Sequence, residues 1–189
     1  MPAAITEEQQ ALDRRALLDV AERLFYGQGV QAVGMDELRA ASGLPLKRIY
    51  RLFPTKEALV VAMLERRDRR WRGNLAAHLD KVPDPRERVL ALFDWLGEWF
   101  AEPGFRGCAW GNAHGELGSS SPAIAAAAQA HKHAFHDQVA ALVAAVDASA
   151  AEPIYLLAEG AIVVAGIHGD PTAAVRARTG AQALLDAAP

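Results

Sequence analysis

Several hallmarks of whole classes of protein are missing from this 189-residue chain. It has a single cysteine, Cys108. One thiol cannot close an internal disulfide, which fits a reducing compartment. No run of about 18 uncharged apolar residues is present, so no membrane span is expected. The most apolar segment, Ile154 to Ile167, is interrupted by Glu159 and ended by Gly169-Asp170-Pro171. The N-terminus carries Glu7, Glu8 and Asp13 instead of an apolar leader core. These features together predict a cytoplasmic protein. No nucleophile–base–acid set, phosphate loop or metal motif stands out, so an enzyme is disfavoured and no cofactor or metal is expected. Of the histidines, His133 and His136 have the spacing to face each other on a helix, whereas His131 points elsewhere. No cysteine or carboxylate nearby completes a ligand set.

What is present is helical. Hydrophobic residues make up 51% of the chain, alanine is abundant, and β-branched runs are few. Thr6 with Gln9 reads as a capping box. Ala11, Leu17, Leu18, Ala21, Leu24 and Phe25 then recur at helical spacing until Gly27 and Gly29. A short helix is expected from about Met35 to Ser42, with Leu38 and Ala41 inward, and Gly43 provides a turn. A third begins at Pro45 and runs to about Leu52, with Ile49 and Phe53 as core anchors. Thr55 caps a long fourth helix reaching about Leu79. A fifth starts after Val82-Pro83-Asp84-Pro85, with Val89, Leu92, Phe93, Leu96, Trp99 and Phe100 inward. Phe105 to Leu117 predicts a shorter helix, and a long one follows Pro122 to about Val146. Pro153 and Pro171 open two more, the last capped by Asp170. The reading is an all-α fold of about nine helices. It divides into an N-terminal domain of short helices over residues 1–60, a linking helix over 56–80, and a helical domain over 61–189.

Charge is uneven along the chain. Residues 1–72 hold 13 Lys/Arg against 10 Asp/Glu, whereas residues 73–189 hold 7 against 13. Between Leu38 and Thr55 lie Arg39, Lys47, Arg48 and Arg51 with no acid, and Lys56 follows. Basic charge gathered on one short element points to a polyanion. Two short helices, a glycine turn and basic residues on the second helix describe a helix-turn-helix, whose second helix enters the major groove of double-stranded DNA. Arg and Lys suit guanine O6/N7 and phosphate. The amino end of the fourth helix, beside Lys56, suits a phosphate.

The stretch MDELRAASGLPLKRIYRLFPTKEAL, Met35 to Leu59, resembles the TetR/AcrR family of bacterial regulators. Its most specific part is Tyr50-Arg51-Leu52-Phe53-Pro54-Thr55-Lys56-Glu57-Ala58-Leu59. The chain departs from the family pattern at Gly34, Pro45, Lys47 and Leu52. By resemblance, Tyr50 and Lys56 occupy phosphate-contacting positions, and Lys47, Arg48 and Arg51 lie on the recognition helix. The resemblance further implies a ligand-responsive homodimer, a repressor released from a palindromic operator by a small molecule. A regulator without a ligand, and a helical enzyme, are the alternatives.

The second domain supplies candidates for an effector site. Cys108, Asn112 and Glu116 are spaced i, i+4, i+8 and are expected on one helix face. Trp95, Trp99, His131 and Phe135 lie on neighbouring helices. Together they suggest a pocket for a mostly apolar or aromatic molecule oriented by one or two polar groups. The small residues Ala158, Gly160, Ala161, Ala165 and Gly166, then Ala173, Ala174, Ala177 and Ala181, suit close helix packing. As the resemblance implies, the last two helices are expected to form the dimer interface.

Overall fold

The computed structural model describes residues 6–187 and contains, among these, nine α-helices, one 3-10 turn and no strand. The helices are α1 Glu7–Gln28, α2 Met35–Ser42, α3 Leu46–Leu52, α4 Lys56–Leu79, α5 Pro85–Phe100, α6 Ala109–Leu117, α7 Pro122–Ala144, α8 Ala151–His168 and α9 Ala173–Asp186. The described residues fall into two compact units, the first made of residues 6–67 and 112–128, the second of residues 68–111 and 129–187.

Most helix ends obey local chemistry. Thr6 Oγ1 accepts from Gln9 N at 3.2 Å, Thr55 Oγ1 from Ala58 N at 3.0 Å, and the Asp84 carboxylate from Glu87 N at 2.8 Å. Each satisfies an amide that the helix itself leaves without a partner. Gly34 and Pro45 begin α2 and α3 with no side-chain cap, as the departures at those positions imply. α1 runs through Gly27 and ends at Gly29, whose φ of 97° disfavours any side chain.

Three boundaries differ from expectation. α6 begins at Ala109 and not at Phe105, because Gly104 and Gly107 both adopt positive φ and break the helix there. α8 begins two residues before Pro153, which sits in its first turn and needs no amide there. α9 begins at Ala173 after Thr172. Asp170 instead closes the preceding turn by accepting from Thr172 N at 2.9 Å.

In the first unit, Leu17, Ala21, Leu24 and Phe25 of α1 are buried with Leu38 of α2, Ile49 of α3 and Leu59, Val60, Met63 and Leu64 of α4. Ala41, expected inward, is exposed, because α2 turns only Leu38 fully into this small core. Each fully buried aliphatic side chain contributes roughly 1.5–3 kcal/mol. Arg66 Nη1 pairs with Asp19 at 2.7 Å, and Arg66 and Arg67 both pair with Glu22, tying α4 to α1.

In the second unit α8 and α9 pack on each other and on α5. Ala158, Ala161, Ala165, Ala173, Ala177 and Ala181 are all buried inside the unit. Small side chains allow that approach. α8 also meets the segment before α6 closely at Gly166, where a Cβ would come within 2.8 Å of the Gly107 Cα. One helical stretch, 148–168, is long and apolar enough to cross a membrane by length and composition, which the sequence reading did not anticipate. Its acids account for the difference. Glu159 breaks an uncharged run but still leaves the stretch apolar on average, and it holds Lys132 Nζ at 2.5 Å.

Candidate nucleic-acid interface

α3 is seven residues long and anchored from below by Ile49, which is fully buried, and by Phe53 just beyond its end. With Ile49 inward, Lys47, Tyr50 and Arg51 lie on the outer side and are exposed. Tyr50 is 45% exposed, so its ring is not a core residue. Arg48 is different. Its Nη1 lies 2.9 Å from Oδ2 of Asp13 on α1, and its side chain is only 29% exposed. α1 also grips the end of α3 through Arg14, which stacks on the Phe53 ring at 4.3 Å and donates to the Leu52 carbonyl at 3.4 Å.

Lys56 is the first residue of α4 and is half-buried, with its ammonium 5.8 Å from the Phe25 ring centroid. Partial burial pushes its pKa down, while the Glu116 carboxylate opposes that shift. A cation at the positive end of a helix is unfavourable by itself and becomes favourable when an anion joins the helix amides there.

The residues expected to line an effector pocket fall in two different units. Glu116 lies in the first unit, where its carboxylate accepts from Val30 N at 3.1 Å and Gln31 N at 2.8 Å. The Gln31 side chain donates back to the Glu116 carbonyl at 2.7 Å. Gly29 belongs to the same contact, since a Cβ there would sit 3.2 Å from Glu116 Oε1. Asn112, also in the first unit, is exposed on α6. Cys108 precedes α6 and accepts from Gly111 N at 3.3 Å.

Trp95, Trp99, His131 and Phe135 do come together, in the second unit. Their centre is Trp71 on α4, which the sequence reading missed. Its ring lies 4.9 Å from Trp95, 5.3 Å from Trp99, 5.5 Å from His131 and 5.1 Å from Phe135. Its indole N–H is buried without a hydrogen-bond acceptor. The only forewarning in the sequence was a tryptophan within the basic stretch of α4. His131 stacks on Trp110 at 3.5 Å, and its Nδ1 lies 2.7 Å from Asp68 Oδ1. Burial pushes His131 down to about 4 despite the Asp68 carboxylate, so the ring is neutral and donates from Nδ1. Burial would raise Asp68, but hydrogen bonds from Arg72 and His131 outweigh it and hold the carboxyl below its usual range.

A second polar group borders this cluster. Lys132 pairs with Glu159 and is hydrogen-bonded to Cys108. Burial opposes its charge, but Cys108 and Glu159 together raise its pKa. Tyr155, hydrogen-bonded to Glu159, is raised to about 12 by burial and that neighbouring charge. Glu159 was legible as a charge in an apolar helix; its partners were not. His136 sits apart, 2.9 Å from Glu152. Among the described residues no cluster of three or more His, Cys, Asp or Glu side chains is placed to hold a metal ion.

A short basic helix, held outward by a three-helix core, is the arrangement of a helix-turn-helix DNA-binding protein. Residues 17–63 match the family model for bacterial regulatory proteins of the tetR family. The crystal structure of a TetR-family transcriptional regulator from Streptomyces coelicolor superposes with a TM-score of 0.84 at 31% identity, over 94% of this chain and 96% of that one. An uncharacterized HTH-type transcriptional regulator of Mycobacterium tuberculosis is 38% identical over 80 residues, 42% of this chain and 39% of that protein. The HTH-type transcriptional repressor NemR of Escherichia coli is 32% identical over 97 residues, half of this chain and 49% of its own length. The chain thus spans less than half the length of these two curated relatives. The reduced form of Escherichia coli NemR shares the fold, with a TM-score of 0.80 at 23% identity over 90% of this chain and 95% of that one. The chain belongs to the TetR family. It is a DNA-binding regulator of transcription and not an enzyme.

Proposed function

We propose that this regulator is a cytoplasmic homodimeric repressor, released from a palindromic operator by a small molecule. The observation that carries the reading is a pair of surfaces with different chemistry. One is the exposed basic side of α3. The other is an apolar stripe on α8, with Leu156 58%, Val163 52% and Ile167 77% exposed, joined by Val175 of α9. Large apolar side chains on one helix face, at i, i+7 and i+11 and left in water, favour association. Leu156 also lines a shallow groove with Gly160, Val164 and Ala177. The small alanines of these helices are already used inside the unit, so the larger residues form the interface. Two-fold symmetry makes such an interface isologous and pairs two copies of α3, which then meet successive major grooves about 34–36 Å apart.

In this reading Lys47 and Arg51 reach the groove, Tyr50 and Lys56 hold phosphates, and Arg48 reads a base. A ligand that prefers a different α3 separation weakens binding by its differential affinity for the two states. The aromatic cluster around Trp71, with its unused indole N–H and the neighbouring Lys132–Glu159–Tyr155 group, supports a mostly apolar effector with a polar handle. The name of Escherichia coli NemR, a repressor, supports the sign of regulation. The close packing of Trp110, His131 and Phe135 favours the alternative of a regulator with no effector. Native mass spectrometry of the purified dimer separates the two: a bound small molecule supports the first, and a bare dimer after broad ligand screening supports the second. Selection of duplexes from a random library tests the rest. An enriched palindrome is expected, and enrichment of none would refute the operator reading.

A further inference from the structure

Asp13 is an acid on α1 that is only 6% exposed. Buried carboxylates are rare unless paired. Gln9 Nε2 donates to its Oδ1 at 2.9 Å, and Arg48 Nη1 stands 2.9 Å from its Oδ2. That second approach is an ion pair without hydrogen-bond alignment, so Oδ2 holds the guanidinium by charge. Arg48 is the third residue of α3, in the part of a recognition helix that approaches base edges. A guanidinium has five N–H donors in a rigid fork, and one nitrogen near Asp13 leaves others available. Part of the side chain remains in solvent. An arginine free in solution must lose rotamer freedom before it can pair bidentately with guanine, whereas one already tethered has lost much of it.

We infer that Asp13, on a helix outside the helix-turn-helix itself, is a positioning residue for sequence recognition: it holds Arg48 oriented toward a guanine. This rests on the proposal that α3 reads bases. The helix-turn-helix motif alone does not predict it, because Asp13 and Arg48 lie 35 positions apart and on different helices.

The test uses the full chain in four forms: wild type, Asp13→Asn, Arg48→Ala and the double variant. An asparagine at this position can still accept from Gln9, so the replacement removes the charge and little else. Each form selects duplexes from a random library, and the selected duplex and its single-base variants are then titrated by fluorescence anisotropy over a salt series. Arg48→Ala is expected to lower guanine preference at one or two positions per half-site by roughly 5- to 150-fold, the range for a bidentate base contact. Asp13→Asn is expected to lower it at the same positions by roughly 2- to 12-fold, the range for ordering one long side chain. In the Arg48→Ala background Asp13→Asn should have no further effect on preference. Asp13→Glu, which keeps the charge but moves it, provides a second variant and should disturb the same positions. The inference is overturned if Asp13→Asn and Asp13→Glu leave those positions untouched, or if their effect persists without Arg48. It also falls if Arg48→Ala changes no position. A wild type that selects no sequence would overturn the proposed function as well, and is distinguished by that first measurement.

Discussion

His131 makes the stability of the second unit depend on pH in a direction that can be worked out. Its ring is 4% exposed, and burial lowers its pKa from 6.5 to about 4. The unfolded chain therefore takes up a proton near pH 6.5 while the folded chain resists until about pH 4. The folded state keeps its full advantage above 6.5 and loses it progressively as pH falls toward 4. The linked free energy is the pKa difference multiplied by about 1.4 kcal/mol per unit, or about 3 kcal/mol in all. Asp68, whose pKa is also lowered, adds a loss of the same sign below its ordinary 3.8. His136 runs the other way: hydrogen bonds to Glu152 and Asp137 raise its pKa, so its contribution is present below 6.5 and fades as pH rises through the raised value. Urea denaturation of His136→Gln and of His131→Gln/His136→Gln at pH 7.5, 6.0 and 5.0 isolates the buried ring. The single variant should lose up to about 1.4 kcal/mol per pH unit below 6.5. The double variant should lose markedly less. Parallel curves would refute the reasoning, as would a proton-linked NMR shift of His131 near pH 6.5 in the folded protein.

Three further outcomes follow from the geometry. Val163→Glu or Ile167→Glu should yield a folded monomer by sedimentation, since each puts a charge into the exposed apolar stripe of α8, whereas Ala161→Arg and Ala165→Arg, at positions buried within the unit, should unfold it. Lys56→Ala should weaken binding to all duplexes alike and reduce the salt slope by about one, read from anisotropy over a salt series. Glu116→Ala should raise hydrogen exchange at the Val30 and Gln31 amides by at least tenfold, because it removes both of their acceptors, while leaving exchange in α5 unchanged.

Legibility in the sequence followed the range of the interaction. Thr6, Gly43 and Thr55 were readable because a cap is settled within four residues. Ile49, Phe53 and Leu38 were readable because a short amphipathic helix has only one inward side. The start of α6 was not, since a glycine's sequence does not tell whether its φ is positive, and here Gly104 and Gly107 both are. The spacing of Cys108, Asn112 and Glu116 gives a periodicity but does not say what faces it. What faces Glu116 is the turn at Val30 and Gln31, some 85 residues earlier. Trp71 escaped because a lone aromatic in a charged helix shows no periodic stripe. Asp13 escaped for a similar reason, as an acid among other charges on α1 whose burial depends on a helix not yet formed.

The charges on α4 suggest how a signal would travel under the proposed mechanism. Within seven residues the helix changes partners. Arg66 and Arg67 are committed to Asp19 and Glu22 of α1, whereas Asp68 and Arg72 are committed to each other, and Asp68 also to His131 of α7. The side chains of Glu22, Arg67 and Asp68 are all at least four-fifths buried. Breaking one member of such a pair strands the other, which costs far more than an exposed surface pair is worth. Within the first unit, Arg66 and Arg67 tie α4 to α1, and Asp13 and Arg14 tie α1 to α3. Under the proposed mechanism, a displacement of the first turns of α4 would reach the recognition helix through α1. Conservative removal of the link, as in Glu22→Gln, should leave DNA binding largely intact but weaken release by any effector. Equal release in Glu22→Gln and wild type would refute that route.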